Sequence, residues 1–279
     1  MRQVESVRRV SATAVVLCAR DFEYREVRQH LGDCLWHEHS AGTRFEVGPL
    51  SGSRWAVATA MIGEGNVGTA IVAERAVAMF SPDLLLFVGV AGALTDDVAL
   101  GDVVVATRVD AYHGGRAAAD FQARPRSWAA PHRLEQAARH LALTNGWWSW
   151  LAPGAFTEDP RVHLKPIATG EILLDSQSCE LSAQLRLHHN DAVAIEMEGA
   201  GLAQAAHFND ALPALVIRGI SDRADGTKTQ TDRAGGRNRA AAHAAAFAAA
   251  LLAGLDFPPS PRRTADLRRR NIGKRRCVG

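Results

Sequence analysis

Residues 194–201 read AIEMEGAG: two carboxylates, Glu196 and Glu198, flank Met197 where an apolar stretch gives way to small residues. Alternate side chains of a strand point the same way, so both glutamates are expected to face one cleft. A carboxylate accepts two hydrogen bonds from vicinal hydroxyls, which is how a ribose is gripped. Met197 would supply a soft apolar wall. The structural alternative is a carboxylate at the start of the following helix, favoured there by the helix dipole. Binding is the expectation for Glu198; for Glu196 both readings stand.

More acids follow other apolar runs. PALVIRGISD (213–222) ends on Ser221 and Asp222. Asp222 either caps a helix or hands a proton to a substrate, with Ser221 orienting it. Asp225 is the rival and reads as a loop acid. After the first apolar run come Asp21 and Glu23. Either Asp21 caps a helix with Glu23 in its first turn, or Glu23 is a general base for water. GVAG (89–92) lets a flat ring or sugar approach the backbone, or simply allows a strand and helix to pack closely. It is not a GxGxxG fingerprint, and GEGNVG (63–68) lacks the Lys-Ser/Thr that completes a phosphate loop. The eleven histidines show no metal spacing, so no metal or cofactor is expected. A GxSxG nucleophile elbow is also absent.

The elements that must position these residues are legible as runs. Strands are expected over 13–19, 55–63, 84–94, 102–109, 167–174 and 213–222, with strand, turn and helix over 191–208. Helices are expected over 23–31, about 68–80, near 132–145, and over the Ala-rich 234–254. WWSW (147–150) fits a lid, an interface or core equally well. Val-, Leu- and Ile-rich strands alternating with helices predict an α/β fold with a sheet covered on both faces. In such folds ligands gather at the carboxyl ends of strands, where these acids and glycines fall.

Composition narrows the options. The 279 residues are 47% hydrophobic and 22% charged, as in ordinary globular proteins. No apolar run has the length of a membrane span, and no signal peptide is expected. Four scattered cysteines without a CxxC pair argue against a zinc site or disulfide framework and fit a reducing cytoplasm. Net charge is +2, but residues 258–279 carry eight Lys/Arg and one acid, leaving −5 for the other 257 residues. The body is therefore not a basic nucleic-acid surface. Residues 1–11 are expected to be a flexible N-terminus, 12–257 the globular domain, and 258–279 a disordered basic tail. Any nucleic-acid contact would lie in that tail.

The ordered set GVAGAL, LGDVVV, ATGEILL, AIEMEGAG and VIRGISDRAD, spanning about Ala14 to Leu255, resembles the nucleoside phosphorylase/nucleosidase superfamily. It resembles the methylthioadenosine/S-adenosylhomocysteine nucleosidase-like branch in particular. The resemblance implies a three-layer α/β/α fold with a mixed central sheet, a homodimer or higher oligomer, and cleavage of a purine N-glycosidic bond. By the same resemblance Glu198 binds the ribose hydroxyls and Met197 packs under the sugar. Asp222, supported by Ser221, would protonate the purine N7, and Glu23 would activate water. Leu173 and Leu174 would hold the base through their backbone, and Ala91 and Gly92 would line base and sugar. Asp222 also points to adenine, since the 6-oxopurine relatives share an asparagine there.

This chain has CARDFE where the phosphorolytic relatives carry a GDPxR loop, which favours hydrolysis over phosphorolysis. It departs from the small-nucleoside hydrolases at Arg20, where an apolar residue is usual. Arg20, with Arg116 or Lys228, is expected to meet a phosphate or carboxylate on the substrate. RGISDRADGTK and YHGGRAAADFQARP resemble nucleotide-cleaving effector domains of bacterial defence proteins. The expected activity is adenine release from an adenine nucleoside or nucleotide in purine nucleoside catabolism, such as methionine salvage. The rivals are a phosphate-dependent phosphorylase and a catalytically silent nucleotide sensor.

Overall fold

The computed structural model describes residues 12–119, 121–152, 159–233 and 235–256. The expectations for 1–11 and 258–279 lie outside the described residues. In chain order the elements begin β1 (Ala12–Cys18), α1 (Asp21–Arg28), β2 (Leu35–Glu38), β3 (Arg44–Pro49), β4 (Trp55–Met61), α2 (Asn66–Phe80) and β5 (Leu84–Ala93). Then come β6 (Val103–Ala111), β7 (Gly115–Ala117), β8 (Phe121–Ala123), β9 (Arg126–Ala129), α3 (His132–Thr144) and a 3-10 turn over Gly146–Trp150. The chain continues through β10 (Val162–Thr169), α4 (Glu180–His188), β11 (Ala194–Glu196), α5 (Gly199–Phe208), β12 (Ala214–Asp222), α6 (Lys228–Arg233) and α7 (Gly236–Gly254).

The main sheet runs β11-β10-β6-β12-β5-β1-β4-β3-β2, with β9 beside β6, while β7 and β8 form a separate ribbon. Strands β4, β1, β5 and β12 are mutually parallel, and β6 turns antiparallel to β12. The sheet is therefore mixed, as expected. At one side it curls on itself. Strand β11 pairs in parallel with β10 and also antiparallel with β5, setting Ala194 against Ala93 and Ile195 against Gly92. That closure brings the end of β11 to the ends of β5 and β12.

Side chains of the central strands feed two cores by strict alternation. From β1 and β5, Ala14, Val16, Leu84 and Leu86 enter a core shared with Val27, Leu134 and Phe247. Their neighbours Val15, Leu17, Leu85 and Phe87 enter a second core with Ala73, Ala76, Leu202 and Ala205. Helices α1, α3 and α7 thus cover one face and α2 and α5 the other, giving three α/β/α layers. The Ala-rich α7 lies very close to the sheet. A Cβ on Gly219 would stand 1.9 Å from the Ala240 carbonyl oxygen, so glycine at that strand position is required. Trp147 is fully buried, 5.8 Å from the Phe247 ring, so the WWSW segment is core at this residue.

Several boundaries differ from expectation. The strand expected over 167–174 ends at Thr169, because the Gly170 N–H turns to the Glu196 carbonyl and 170–174 becomes a loop. Helix α2 starts at Asn66, not Gly68. Asp21 is the first residue inside α1, not its cap, and pairs with Arg25 at 3.1 Å. The hairpin β2–β3, the ribbon and α4 were not anticipated.

Candidate active site

The parallel strands β1, β5 and β12 end together, and a cavity of about 230 Å³ lies at those ends. Eleven of the residues expected at the site line it: Arg20, Glu23, Ala91, Gly92, Leu173, Leu174, Glu196, Met197, Glu198, Ser221 and Asp222; Arg116 and Lys228 do not. A larger hollow of about 600 Å³ between β9 and α5 is walled mostly by alanine and aliphatic side chains and contains none of these acids. The chemistry therefore belongs to the smaller cavity.

Glu23 sits in the first turn of α1 and bends back to the strand end. Its Oε2 accepts from the Ala19 and Arg20 N–H groups, each at 2.9 Å, and its Oε1 from the Val90 N–H at 2.9 Å. These bonds satisfy donors at the helix start and lock the carboxylate against β5. Burial pushes its carboxyl above the ordinary range, with Arg218 and the three N–H groups opposing. A buried carboxyl with a raised pKa is a better proton acceptor than an exposed one.

Arg218 is the residue that sequence reading overlooked. It lies inside β12, is 1% exposed, and its Nη2 meets both Glu196 and Glu198, the latter at 3.0 Å. Its guanidinium carbon is 4.4 Å from the centre of the Phe87 ring. A Cβ on Gly89 would fall 2.5 Å from both Arg218 Nη1 and Glu23 Oε1. Gly89 therefore makes room for the charged cluster. The signal was available: an arginine within an apolar strand must find buried carboxylates.

The two acids of the AIEMEGAG segment divide the readings between them. Glu196 is the carboxylate at the helix start, taking the Glu198 N–H at 3.0 Å and the Gly199 N–H at 2.8 Å from its Oε2. Glu198 is the N-cap residue of α5 by position, but its side chain turns away from the helix to the Gly65 N–H at 3.1 Å and to Arg218. Burial pushes the Glu198 carboxyl up to about 7; Arg218 opposes this and Glu196 adds to it. Glu198 thus lines the cavity with acceptor capacity that Glu196 has spent on the backbone.

Asp222 ends β12 beyond an irregularity in its register with β5, where Ile220 faces Ala91 and Asp222 faces Gly92. The extra residue is Ser221, and the irregularity re-aims the aspartate. Ser221 Oγ donates to Asp222 Oδ2 at 2.8 Å, and the Ala224 N–H donates to Oδ1 at 3.1 Å. Asp225, by contrast, is exposed, accepts from the Thr227 N–H at 3.0 Å and does not line the cavity.

The loop after β10 closes the cavity with Ile172, Leu173 and the buried Leu174. Asn66 pins this loop: its Nδ2 donates to the Gly170 carbonyl at 3.0 Å while its Oδ1 accepts from the Gly201 N–H at 2.9 Å. Arg20 is joined at the cavity mouth by Arg237, Phe22 and Glu64, none of which was anticipated. Arg116 lies on the exposed ribbon away from the cavity, and Lys228 opens α6. Among the described residues, no group of three or more His, Cys, Asp or Glu is placed to hold a metal ion. No helix among them is long and apolar enough to cross a membrane.

The chain is also similar to known proteins. The sequence profile of the phosphorylase superfamily matches residues 13–253. A 5'-methylthioadenosine/S-adenosylhomocysteine nucleosidase of Mycobacterium bovis is 30% identical over 238 residues, covering 77% of this chain and 87% of that protein. An ATP nucleosidase of Escherichia coli is 27% identical over 214 residues, covering 69% of this chain and 40% of that protein. Among solved structures, the Neisseria meningitidis 5'-methylthioadenosine/S-adenosylhomocysteine nucleosidase, in complex with methylthio-immucillin-A, superposes with a TM-score of 0.72 at 25% identity, covering 88% of this chain and all of that one. The chain belongs to the phosphorylase superfamily, in its methylthioadenosine/S-adenosylhomocysteine nucleosidase-like branch.

Proposed function

We propose that this protein is a nucleosidase that hydrolyses the N-glycosidic bond of an adenine nucleoside or nucleotide and releases adenine. The observation that carries the reading is one small cavity lined by Glu23, Glu198 and Asp222, acids drawn from three different strand ends. In the reaction the C1′–N9 bond breaks and its electron pair leaves with the base. Asp222 delivers a proton to N7, so the base departs neutral. A water oxygen bonds to C1′ and gives its proton to Glu23. Glu198 accepts from the ribose hydroxyls, and the carboxylates favour the positive charge that develops on the sugar. A carboxylate facing N7 also suits the 6-amino group of adenine, a donor, better than a 6-oxo group.

Water is favoured over phosphate as the acceptor because the buried cation Arg218 is already engaged by Glu196 and Glu198. We infer further that residues 12–257 form one catalytic domain working in the cytoplasm as a homodimer in purine nucleoside catabolism, methionine salvage included. The test is chromatography of adenosine digests with and without phosphate. Equal adenine release in both is expected; release only with phosphate would make the protein a phosphorylase.

A further inference from the structure

The start of α2 collects two carboxylates that the helix does not itself supply. No acid lies in its first turn, and its N-cap residue, Gly65, has no side chain to offer. The N–H groups at a helix start need acceptors from elsewhere. The Gly65 N–H donates to Glu198 Oε1 at 3.1 Å, and the next one, Asn66 N–H, donates to Glu171 Oε1 at 3.0 Å. Glu171 Oε2 lies over Gly65, 3.0 Å from where a Cβ would stand. Gly65 has a φ of 107°, a conformation that favours glycine. Glu171 belongs to the loop after β10 that closes the cavity with Leu173 and Leu174.

Two neighbouring amides thus join a cavity acid to a cavity loop. Ile172 and Leu173 are 50% and 60% exposed, so burial does little to hold this stretch and polar ties carry the task. From the segment after β6, His113 Nδ1 accepts the Glu171 N–H at 3.2 Å, and Tyr112 Oη donates to the Ile172 carbonyl at 3.3 Å. The Glu171 carboxylate supplies the tie to α2. It does not line the cavity, so it acts through what it holds. Resting on the nucleosidase reading, in which the backbone of Leu173 and Leu174 holds the base, we propose that Glu171 is a positioning residue. Its carboxylate clamps the base-holding loop to the amide beside the one that anchors Glu198, and so sets the spacing between base and ribose. Losing the clamp lowers the population of the loop state that binds the base.

The test uses wild type, Glu171→Ala and Glu171→Gln. It measures kcat and KM for adenine release from the fastest of adenosine, methylthioadenosine and AMP, together with calorimetric binding of free adenine. Glutamine keeps an oxygen for the Asn66 N–H. Glu171→Ala is expected to raise KM and the adenine Kd by roughly five- to tenfold. Its kcat should change little, and its melting temperature should stay near native because the side chain is exposed. Glu171→Gln should remain close to wild type throughout. Unchanged KM and adenine affinity in Glu171→Ala overturn the clamp, as does a Glu171→Gln protein as impaired as Glu171→Ala. If wild type releases adenine from none of the three compounds, the nucleosidase reading fails. The clamp then stands only if Glu171→Ala weakens adenine binding and Glu171→Gln does not, and falls otherwise.

Discussion

Arg218 Nη2 lies 3.0 Å from Glu198 Oε2, and the two side chains are only 1% and 5% exposed. The same nitrogen also meets Glu196, so one buried guanidinium holds two carboxylates. Removing it strands both acids in a medium that penalises charge. Arg218→Met is expected to destabilise the fold by about 3–5 kcal/mol and to abolish adenine release. Arg218→Lys keeps the charge without the planar fork and should recover stability more than activity. Urea titration and a rate assay check both; wild-type stability in Arg218→Met would contradict the pairing.

The Glu198 carboxyl, raised to about 7, gives opposite pH slopes to activity and stability. Gripping ribose needs the carboxylate, so kcat/KM should rise as pH climbs through about 7. Between its usual value of 4.5 and about 7, the folded protein holds a proton that the unfolded chain has released, so stability should fall as pH rises across that window. Glu198→Gln is expected to flatten the fall in melting temperature between these values. Glu23, also raised by burial, adds slopes of the same signs, so a residual slope and a residual acid limb should survive. An unaltered melting profile in the variant would refute the assignment.

Gly89 tests the cluster from behind. An alanine Cβ there would stand 2.5 Å from both Arg218 Nη1 and Glu23 Oε1, and neither group is a loose surface end. Gly89→Ala should cost about 1–3 kcal/mol by overpacking and reduce turnover more than substrate binding. Wild-type kinetics in this variant would mean that Glu23 is free to move.

Much of this was legible in residue order. Central strands such as β1 and β5 are apolar on both faces, so the two-sided sheet could be read from them directly. Acids and glycines at strand ends pointed to the cavity. What escaped depends on tertiary geometry. Strand β2, LWHE, is exposed throughout and shows no alternation to betray it. The apolar ILL of 172–174 reads as strand, yet the chain turns off the sheet at Gly170 to bond Glu196. Which glutamate takes the helix start and which faces the cavity is set by the backbone at Glu198, not by spacing. Arg237 reaches the mouth only because α7 packs on α1.

The most direct test of the account is the adenine-release rate of Asp222→Asn in phosphate-free buffer. Asparagine can keep both neighbours, its oxygen taking the Ala224 N–H and its amide donating to Ser221 Oγ, so the fold should survive with a near-native melting temperature. It has no proton to give the leaving base. The account predicts a fall in kcat of about 10²–10⁴ with KM little changed. A folded Asp222→Asn protein that releases adenine at the wild-type rate would contradict it.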